Sequence, residues 1–119
     1  MSQPHASPSQ VVQIAPLGAQ LPTSVSTAIY KAAQLEVVRL VLPAGKSMNE
    51  HTAPGEITLF CLEGLVWFQS SGAAQPMRAG DFVHLAAGAP HSLRAEQDSS
   101  LLLTLCLIKP EAVAAAAVV

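Results

Sequence analysis

Two histidines in similar settings are the residues of this chain best suited to chemistry. His51 lies in the stretch 43–64, between two turns and ahead of an apolar run that a glycine closes. His91 ends a second glycine-containing stretch, 80–91. Imidazole forms hydrogen bonds and is a common metal ligand. Together the two stretches predict a pocket for a small molecule or a metal ion.

Other reactive side chains have simpler explanations. Cys61 lies in an apolar run with no basic group nearby in sequence to lower its pKa, so we interpret it as structural. Ser92 follows His91, but no acidic residue stands at a spacing that would complete a triad. Glu50 is a candidate general base beside His51, although a charge just before a strand is more typical of a solvated loop. The sequence therefore assigns no catalytic residue.

The composition indicates one domain that associates with itself. The chain has 119 residues, half of them hydrophobic, and only 12% are charged, against roughly 25% in typical soluble domains. So few charges leave apolar surface that a second subunit would cover, which predicts a homodimer. The net charge is −2, and without a basic stripe we expect no nucleic-acid partner.

Neither membrane insertion nor secretion is expected. No apolar run approaches the roughly 20 residues of a membrane span, and residues 1–10 lack the charged and apolar regions of a secretory signal. Cys61 and Cys106 each lie in an apolar run. A disulfide between them stays open at this stage, but two buried free thiols are favoured, which points to the cytoplasm.

Short apolar runs between turn residues predict nine or ten strands and no internal helix. The predicted strands are residues 11–14, 27–30, 35–42, 57–62, 65–69, 75–77, 82–85, 91–95 and 101–108. This pattern predicts one all-β sandwich or barrel domain over residues 11–109. Residues 1–10 are predicted to be a mobile tail and residues 110–119 a helix-prone tail.

The region around His51 resembles the first sequence motif of the cupin superfamily, G-x5-H-x-H-x3,4-E-x6-G. Gly45, His51 and Gly64 stand at the motif positions. Ala53 replaces the second histidine and Ile57 replaces the glutamate. The glycines of such a framework mark tight turns in which a positive φ is needed.

The region around His91 resembles the second cupin motif, G-x5-P-x-G-x2-H-x3-N. Gly80, Gly88 and His91 are in register, while Ala86 replaces the proline and Ala95 the asparagine. The resemblance extends over residues 35–108. It implies a double-stranded β-helix, the cupin jelly-roll barrel, built from two facing sheets.

The resemblance also implies a site at the mouth of the barrel, into which His51 and His91 would point. In metal-binding cupins three histidines and one glutamate hold a divalent ion, so this chain keeps half of that set. His84 is a candidate third ligand, depending on which face of its strand is interior. Glu56, one residue from the glutamate position, should turn to the opposite face because side chains alternate along a strand.

Six large apolar side chains are candidates for lining the pocket or a dimer face: Met48, Phe60, Trp67, Phe68, Met77 and Phe82. Met48, Phe60, Trp67 and Phe82 are assigned to the pocket. Trp67 and its neighbour Phe68 should face opposite ways in a regular strand. One of the two would pack inside the barrel and the other would need a cover.

Three functions follow from these features. The first is a cupin-barrel protein that binds a small organic ligand in an apolar pocket with His51 and His91 at its mouth. The alternative is a metal-dependent cupin enzyme of the oxygenase, isomerase or decarboxylase class acting on a small acid, with Zn, Ni, Fe or Mn held by His51, His91 and His84. A ligand-sensing domain that acts on a separate partner ranks third.

Overall fold

A computed structural model describes residues 5–108 of the chain. Within that range it has a short 3-10 helix, Gly18–Thr23, and nine strands: β1 (Thr27–Lys31), β2 (Leu35–Leu42), β3 (Ser47–His51), β4 (Ile57–Glu63), β5 (Leu65–Gln69), β6 (Gln75–Arg78), β7 (Phe82–Leu85), β8 (His91–Ala95) and β9 (Ser99–Cys106). The helix-prone segment predicted at 110–119 and the first four residues of the predicted tail lie outside the described residues. No helix in the described range is long and apolar enough to cross a membrane.

Two antiparallel sheets form the barrel. The first contains five strands in the order β1-β2-β9-β4-β7, and the second contains four in the order β3-β8-β5-β6. Every pairing is antiparallel. The predicted all-β jelly roll of two facing sheets is confirmed.

The core lies between the two sheets and follows the alternation of side chains along each strand. In β4 the buried residues are Ile57, Leu59 and Cys61, while the residues between them are only partly buried. The four-stranded sheet contributes its own inward residues, Val66, Phe68, Met77, Leu93 and Ala95. Neighbouring strands therefore present one apolar face each to a shared interior.

Two predictions of strands need correction. Residues 11–14 form no strand, because Val11 is 95% exposed and nothing in the described range pairs with this segment. A strand that was not predicted, β3, covers Ser47–His51 and pairs with β8. Its polar sequence, SMNEH, has no apolar alternation beyond Met48, so its pairing with β8 determines its conformation.

The segment before β1 is attached to the outer face of the five-stranded sheet. Arg39 in β2 donates from Nη1 to the carbonyl oxygen of Ala15 at 2.8 Å. The backbone amides of Leu17 and Gly18 donate to the Glu63 carboxylate at 2.8 and 3.0 Å. These contacts explain why β2 is partly buried on both faces.

The glycines of the two motifs occupy tight turns, as predicted. Gly45, Gly64, Gly80 and Gly88 have φ values of +84°, +93°, +93° and +77°. Gly64 is also sterically restricted, because a Cβ at this position would collide with Ser99. Both requirements at Gly64 are met by glycine alone.

Candidate functional site

His51 and His91 lie side by side on β3, the edge strand of the four-stranded sheet, and on β8, its neighbour. His51 ends β3 and His91 begins β8, and the antiparallel register places the two residues opposite each other. Their ring centroids are 4.2 Å apart, with the ring planes tilted by 59°. The structure thus brings together the two histidines that the sequence singled out.

Each imidazole is oriented by a hydrogen bond to its own local backbone. His51 Nδ1 lies 2.8 Å from the carbonyl oxygen of Asn49, and His91 Nδ1 lies 3.1 Å from that of Ala89. A carbonyl oxygen only accepts hydrogen bonds, so Nδ1 carries the proton in both rings. In the neutral form Nε2 then holds a free lone pair on each histidine.

The histidines lie at different depths. His91 is 4% exposed and therefore part of the interior, whereas His51 is exposed. A molecule entering from solvent would meet His51 first and His91 further in.

A cavity of about 260 Å³ between the two sheets contains this pair. Nine of its twelve lining residues are apolar, and the other three are His51, Thr52 and His91. The apolar lining is Leu40, Met48, Ala53, Pro54, Ile57, Leu59, Leu93, Leu103 and Leu105. No charged carboxylate, lysine or arginine from the described part of the chain lines it.

His84, the candidate third metal ligand, lies outside the barrel. Its Nε2 is 2.7 Å from Oε1 of Glu56, and the two side chains are 50% and 60% exposed. Leu85 in the same strand is buried, so the alternation of β7 places His84 on the outer face. The prediction of His84 as a ligand is therefore wrong for this site, and the predicted outward direction of Glu56 is confirmed.

Among the predicted apolar lining residues, Met48 alone borders the cavity. Phe82 is 61% exposed, and Phe60 pairs opposite it on the same outer face of the five-stranded sheet. Trp67 faces outward from the four-stranded sheet, while Phe68 is in the core. Trp67 and Phe68 do face opposite ways, but the assignment of Phe60, Trp67 and Phe82 to the pocket is corrected.

The leucines that line the cavity were missed by the sequence reasoning. Leu103 and Leu105 alternate along β9, and Leu40 lies on β2, the neighbouring strand of the same sheet. Both strands are apolar at nearly every position, so their sequences gave no preference for one face. The two histidine motifs provide the signal that identifies the inner face, because these leucines lie on the side that the histidines share.

The residues present do not fit a complete metal site. The described chain contains no group of three or more His, Cys, Asp or Glu residues positioned to hold an ion. Ala53 and Ile57 stand at the two missing motif positions and have no donor atom. Since protein metal sites usually supply three or four ligands, two imidazoles fall short, and we derive no step through a metal.

Cys61 is unsuited to nucleophilic chemistry. Both cysteines are free thiols, as predicted, with Cys61 buried and Cys106 partly buried. Burial raises the pKa of Cys61, and the charges of Asp81 and Glu63 raise it further against a hydrogen bond to the Glu63 carbonyl oxygen. A thiol held in its neutral form is a poor nucleophile, which agrees with a structural role.

Another hollow, of about 400 Å³, lies between residues 5–14 and β1 and reaches Arg39. Its lining is mixed and includes His5, Gln10 and Gln13. It is larger than the barrel cavity but lacks a converging set of polar atoms within an apolar wall, which is the usual character of a small-molecule site. We therefore take the barrel cavity as the candidate site.

Comparison with known proteins agrees with the architecture. A family profile described as "Cupin domain" matches residues 38–108, a range that includes both site histidines. No curated protein matches the chain.

Several solved structures share the fold. A conserved protein of unknown function from Streptococcus pyogenes is 20% identical with a TM-score of 0.68, over 92% of this chain and 96% of that one. An RmlC-like cupin from Shewanella frigidimarina is 16% identical with a TM-score of 0.68, over 94% and 97%. A predicted oxalate decarboxylase from Thermotoga maritima is 24% identical with a TM-score of 0.64, over 70% and 79%. At these identities the similarity establishes a shared fold alone.

Proposed function

Because this chain belongs to the cupin domain family, we propose that its barrel binds a small organic ligand, with His51 and His91 at the mouth of the pocket. The observation that carries the proposal is the cavity of about 260 Å³, whose wall is apolar apart from Thr52 and the two imidazoles. Apolar walls with a few converging polar groups are typical of small-molecule sites. The walls would supply affinity and the imidazoles orientation.

The volume indicates the size of the ligand. Drug-sized molecules occupy pockets of about 300–1,000 Å³, and an apolar cavity of about 150 Å³ holds benzene in another protein. A cavity of about 260 Å³ fits a molecule with a single ring or a short branched chain. Burying its apolar surface would contribute roughly 25 cal/mol per Å² before the costs of association.

The proposal is tested by a thermal-shift screen of small alcohols, phenols and acids in the presence of a chelator. A ligand at 100 times its Kd stabilises the folded protein by about 2.7 kcal/mol, which raises Tm by several degrees in a domain of this size. Ala53→Phe extends a side chain into the cavity and should abolish the shift. Ala73→Phe, an exposed site outside the cavity, is the matched control and should retain it.

A metal-dependent enzyme acting on a small acid is the second candidate, favoured by one observation. Histidine ligands usually donate their other ring N–H to a carbonyl or carboxylate, and both site histidines do so here. The missing ligands would have to come from the substrate, from water or from outside residues 5–108. Elemental analysis of protein purified without chelator tests it. About one ion per chain, lost in His91→Ala, would favour the enzyme, and a background level in both proteins would favour the metal-free pocket.

We also propose that the protein is a homodimer that works in the cytoplasm, with neither nucleic acid nor a membrane as partner. The low content of charged residues and an exposed Phe82 support the dimer. Two free cysteines support a reducing compartment. The ligand-sensing role ranks third. In that role the same pocket would bind the ligand, and the protein would act on a separate partner.

A further inference from the structure

We infer that the ligand of the barrel carries a hydroxyl group, an alcohol or a phenol, on an apolar body and shares its one hydrogen, in a three-centre hydrogen bond, between the Nε2 atoms of His51 and His91. This inference rests on the proposed function and specifies the chemical class of ligand for that site. It follows from the tautomers of the two rings, the space that they border and the lack of charge around them.

The tautomer of each ring follows from the contact of its Nδ1 atom. Both Nδ1 atoms lie within hydrogen-bonding distance of a backbone carbonyl oxygen, at 2.8 Å for His51 and 3.1 Å for His91. A carbonyl oxygen has no hydrogen to donate, so each Nδ1 is the donor. Each neutral ring consequently offers Nε2 as a hydrogen-bond acceptor. Because the partners are backbone atoms two residues earlier in the chain, this state does not depend on any other side chain.

Nε2 of His91 borders the cavity. Within residues 5–108, Trp67 Nε1 is the single buried side-chain nitrogen or oxygen without a hydrogen-bond partner. His91 is buried, and no partner for its Nε2 is found in that range. His91 Nε2 has no partner and yet is not among the fully buried unpaired atoms, so it borders open space rather than packed protein. The open space that His91 borders is the cavity.

The two acceptors lie close to each other at one end of the cavity. The rings are 4.2 Å apart between centroids, so two lone pairs of like polarity lie at one end of an apolar cavity. Both acceptors are open to water in the empty cavity, and an apolar ligand that displaced this water without supplying a donor would leave them unpaired. A ligand that brings a donor hydrogen to this end of the cavity pairs with the acceptors, whereas a ligand that has only acceptors leaves them unpaired.

The cavity favours a hydroxyl group over a carboxylate. No lysine or arginine among the described residues lines the cavity, and a neutral imidazole with a bare Nε2 repels an anion. Placing a carboxylate in an apolar site without a counter-charge is costly. The structure thus favours a neutral ligand, and a hydroxyl is the smallest common donor that retains an apolar body.

Calorimetric titration with three matched probes tests the inference on the full chain, at about pH 8, where free imidazole is neutral, and with a chelator present. The probes are para-cresol, which has a hydroxyl donor, para-methylanisole, whose oxygen only accepts, and para-toluate, which is an anion. We expect para-cresol to bind about tenfold or more tightly than either of the others, as the loss of one buried hydrogen bond implies. Equal binding of para-cresol and para-methylanisole, or tighter binding of para-toluate, overturns the inference while leaving an organic pocket intact. No binding by any of the three contradicts the proposed function as well.

Variants assign the preference to the histidines. In His51→Phe, which changes an exposed position and should fold, the advantage of para-cresol over para-methylanisole should fall by at least threefold. His91→Phe should lower it further. His84→Phe removes a histidine from the outer face and should leave the advantage unchanged. A preference that survives both site substitutions would overturn the inference.

The tautomers themselves can be measured without any ligand. A long-range proton–nitrogen correlation spectrum of the imidazoles should show the proton on Nδ1 of His51 and His91. A proton on Nε2 of either ring would overturn the inference, because that ring would then be a donor to the cavity. This spectrum remains decisive even if His91→Phe fails to fold.

Discussion

At the scale of single residues, local backbone contacts determine the orientation of the site. Each histidine is bonded to the carbonyl oxygen two residues before it, Asn49 for His51 and Ala89 for His91. No acidic side chain takes part in these hydrogen bonds. Substitutions on the outer face should therefore leave the pocket unchanged.

The pair formed by His84 and Glu56 provides a test of that independence. Because both side chains are at least half exposed, the interaction is screened by solvent and contributes little. We expect His84→Ala to change the free energy of unfolding by less than about 1 kcal/mol and to leave ligand affinity unchanged. Denaturant unfolding and calorimetric titration measure the two quantities. A loss of ligand binding in this variant would place His84 in the site after all.

At Gly64 both the backbone conformation and the neighbouring segment of the chain require glycine. This residue combines a φ of +93° with a backbone so close to Ser99 that a Cβ has no room. We expect Gly64→Ala to lower the free energy of unfolding by about 2–4 kcal/mol, because strain and a steric collision add.

Gly72→Ala is the matched control for Gly64→Ala. Gly72 also has a positive φ, +128°, but has open space around its Cβ position. Its substitution should cost about 1–2 kcal/mol, as measured by denaturant unfolding. Equal costs in the two variants would show that the contact with Ser99 contributes nothing.

At the scale of elements, Glu63 attaches the segment before β1 to the sheet. Burial alone would raise the pKa of Glu63, but hydrogen bonds from the Ser100 hydroxyl and from the amides of Leu17 and Gly18 outweigh it, and the pKa is lowered. Arg39 acts in the same direction and also bonds to Ala15. One carboxylate thus connects β4, β9 and the N-terminal segment.

The lowered pKa predicts how stability depends on pH. The folded state favours the carboxylate more than the unfolded state does, so the stabilisation is complete above the unfolded pKa of about 4.3. It is lost as the pH falls through the folded pKa. Glu63→Gln should therefore lower the free energy of unfolding by about 1–2 kcal/mol at neutral pH, and the difference from the wild type should shrink below about pH 4.

Urea unfolding of both proteins across this pH range measures the effect of Glu63→Gln. Glu96→Gln, at an exposed position, is the control and should show no comparable change. A difference between wild type and Glu63→Gln that stays constant down to low pH would contradict the role of the charge.

The elements also show how far the sequence predicts this structure. Eight of the nine strands were predicted from apolar runs and turns, but β3 was missed because SMNEH has no alternating pattern and is defined by its pairing with β8. The alternation of side chains along β7 puts Phe82 and His84 on one face. It could not say which face, because that depends on the register with β4, where Phe60 lies opposite Phe82.

The site shows the same division between local and long-range information. The resemblance to the cupin motifs implied that His51 and His91 point into the same barrel mouth, and the two rings do lie side by side. The identity of the cavity wall depends on which face of β2 and β9 turns inward. Both strands are apolar on both faces, so their sequences could not provide this information.

At the scale of the whole molecule, the outer face of the five-stranded sheet carries an apolar row. Phe60 pairs in register with Leu102 on one side and with Phe82 on the other. Phe82, at the edge, is 61% exposed. A second copy of the chain seated on this row would remove it from water, which is the basis of the proposed dimer.

Sedimentation velocity tests the dimer. Phe82→Ser should shift the population toward monomer at micromolar concentrations because it removes apolar area from the contact. Val11→Ser changes a residue that is 95% exposed but lies outside the strands, and it should leave the distribution unchanged. A wild-type protein that sediments as a monomer at all concentrations would contradict the proposal.

The central claim is that the space between the sheets is a ligand pocket, and methyl-resolved NMR titration with a hit from the thermal-shift screen tests it most directly. Met48 in β3 and Leu103 and Leu105 in β9 line that space, so we predict that their methyl resonances shift together and saturate at the same ligand concentration. Ile14 and Ile29 line the hollow beside the N-terminal segment and should not move. Shifts confined to these isoleucines would contradict the account, because the ligand would then bind outside the barrel.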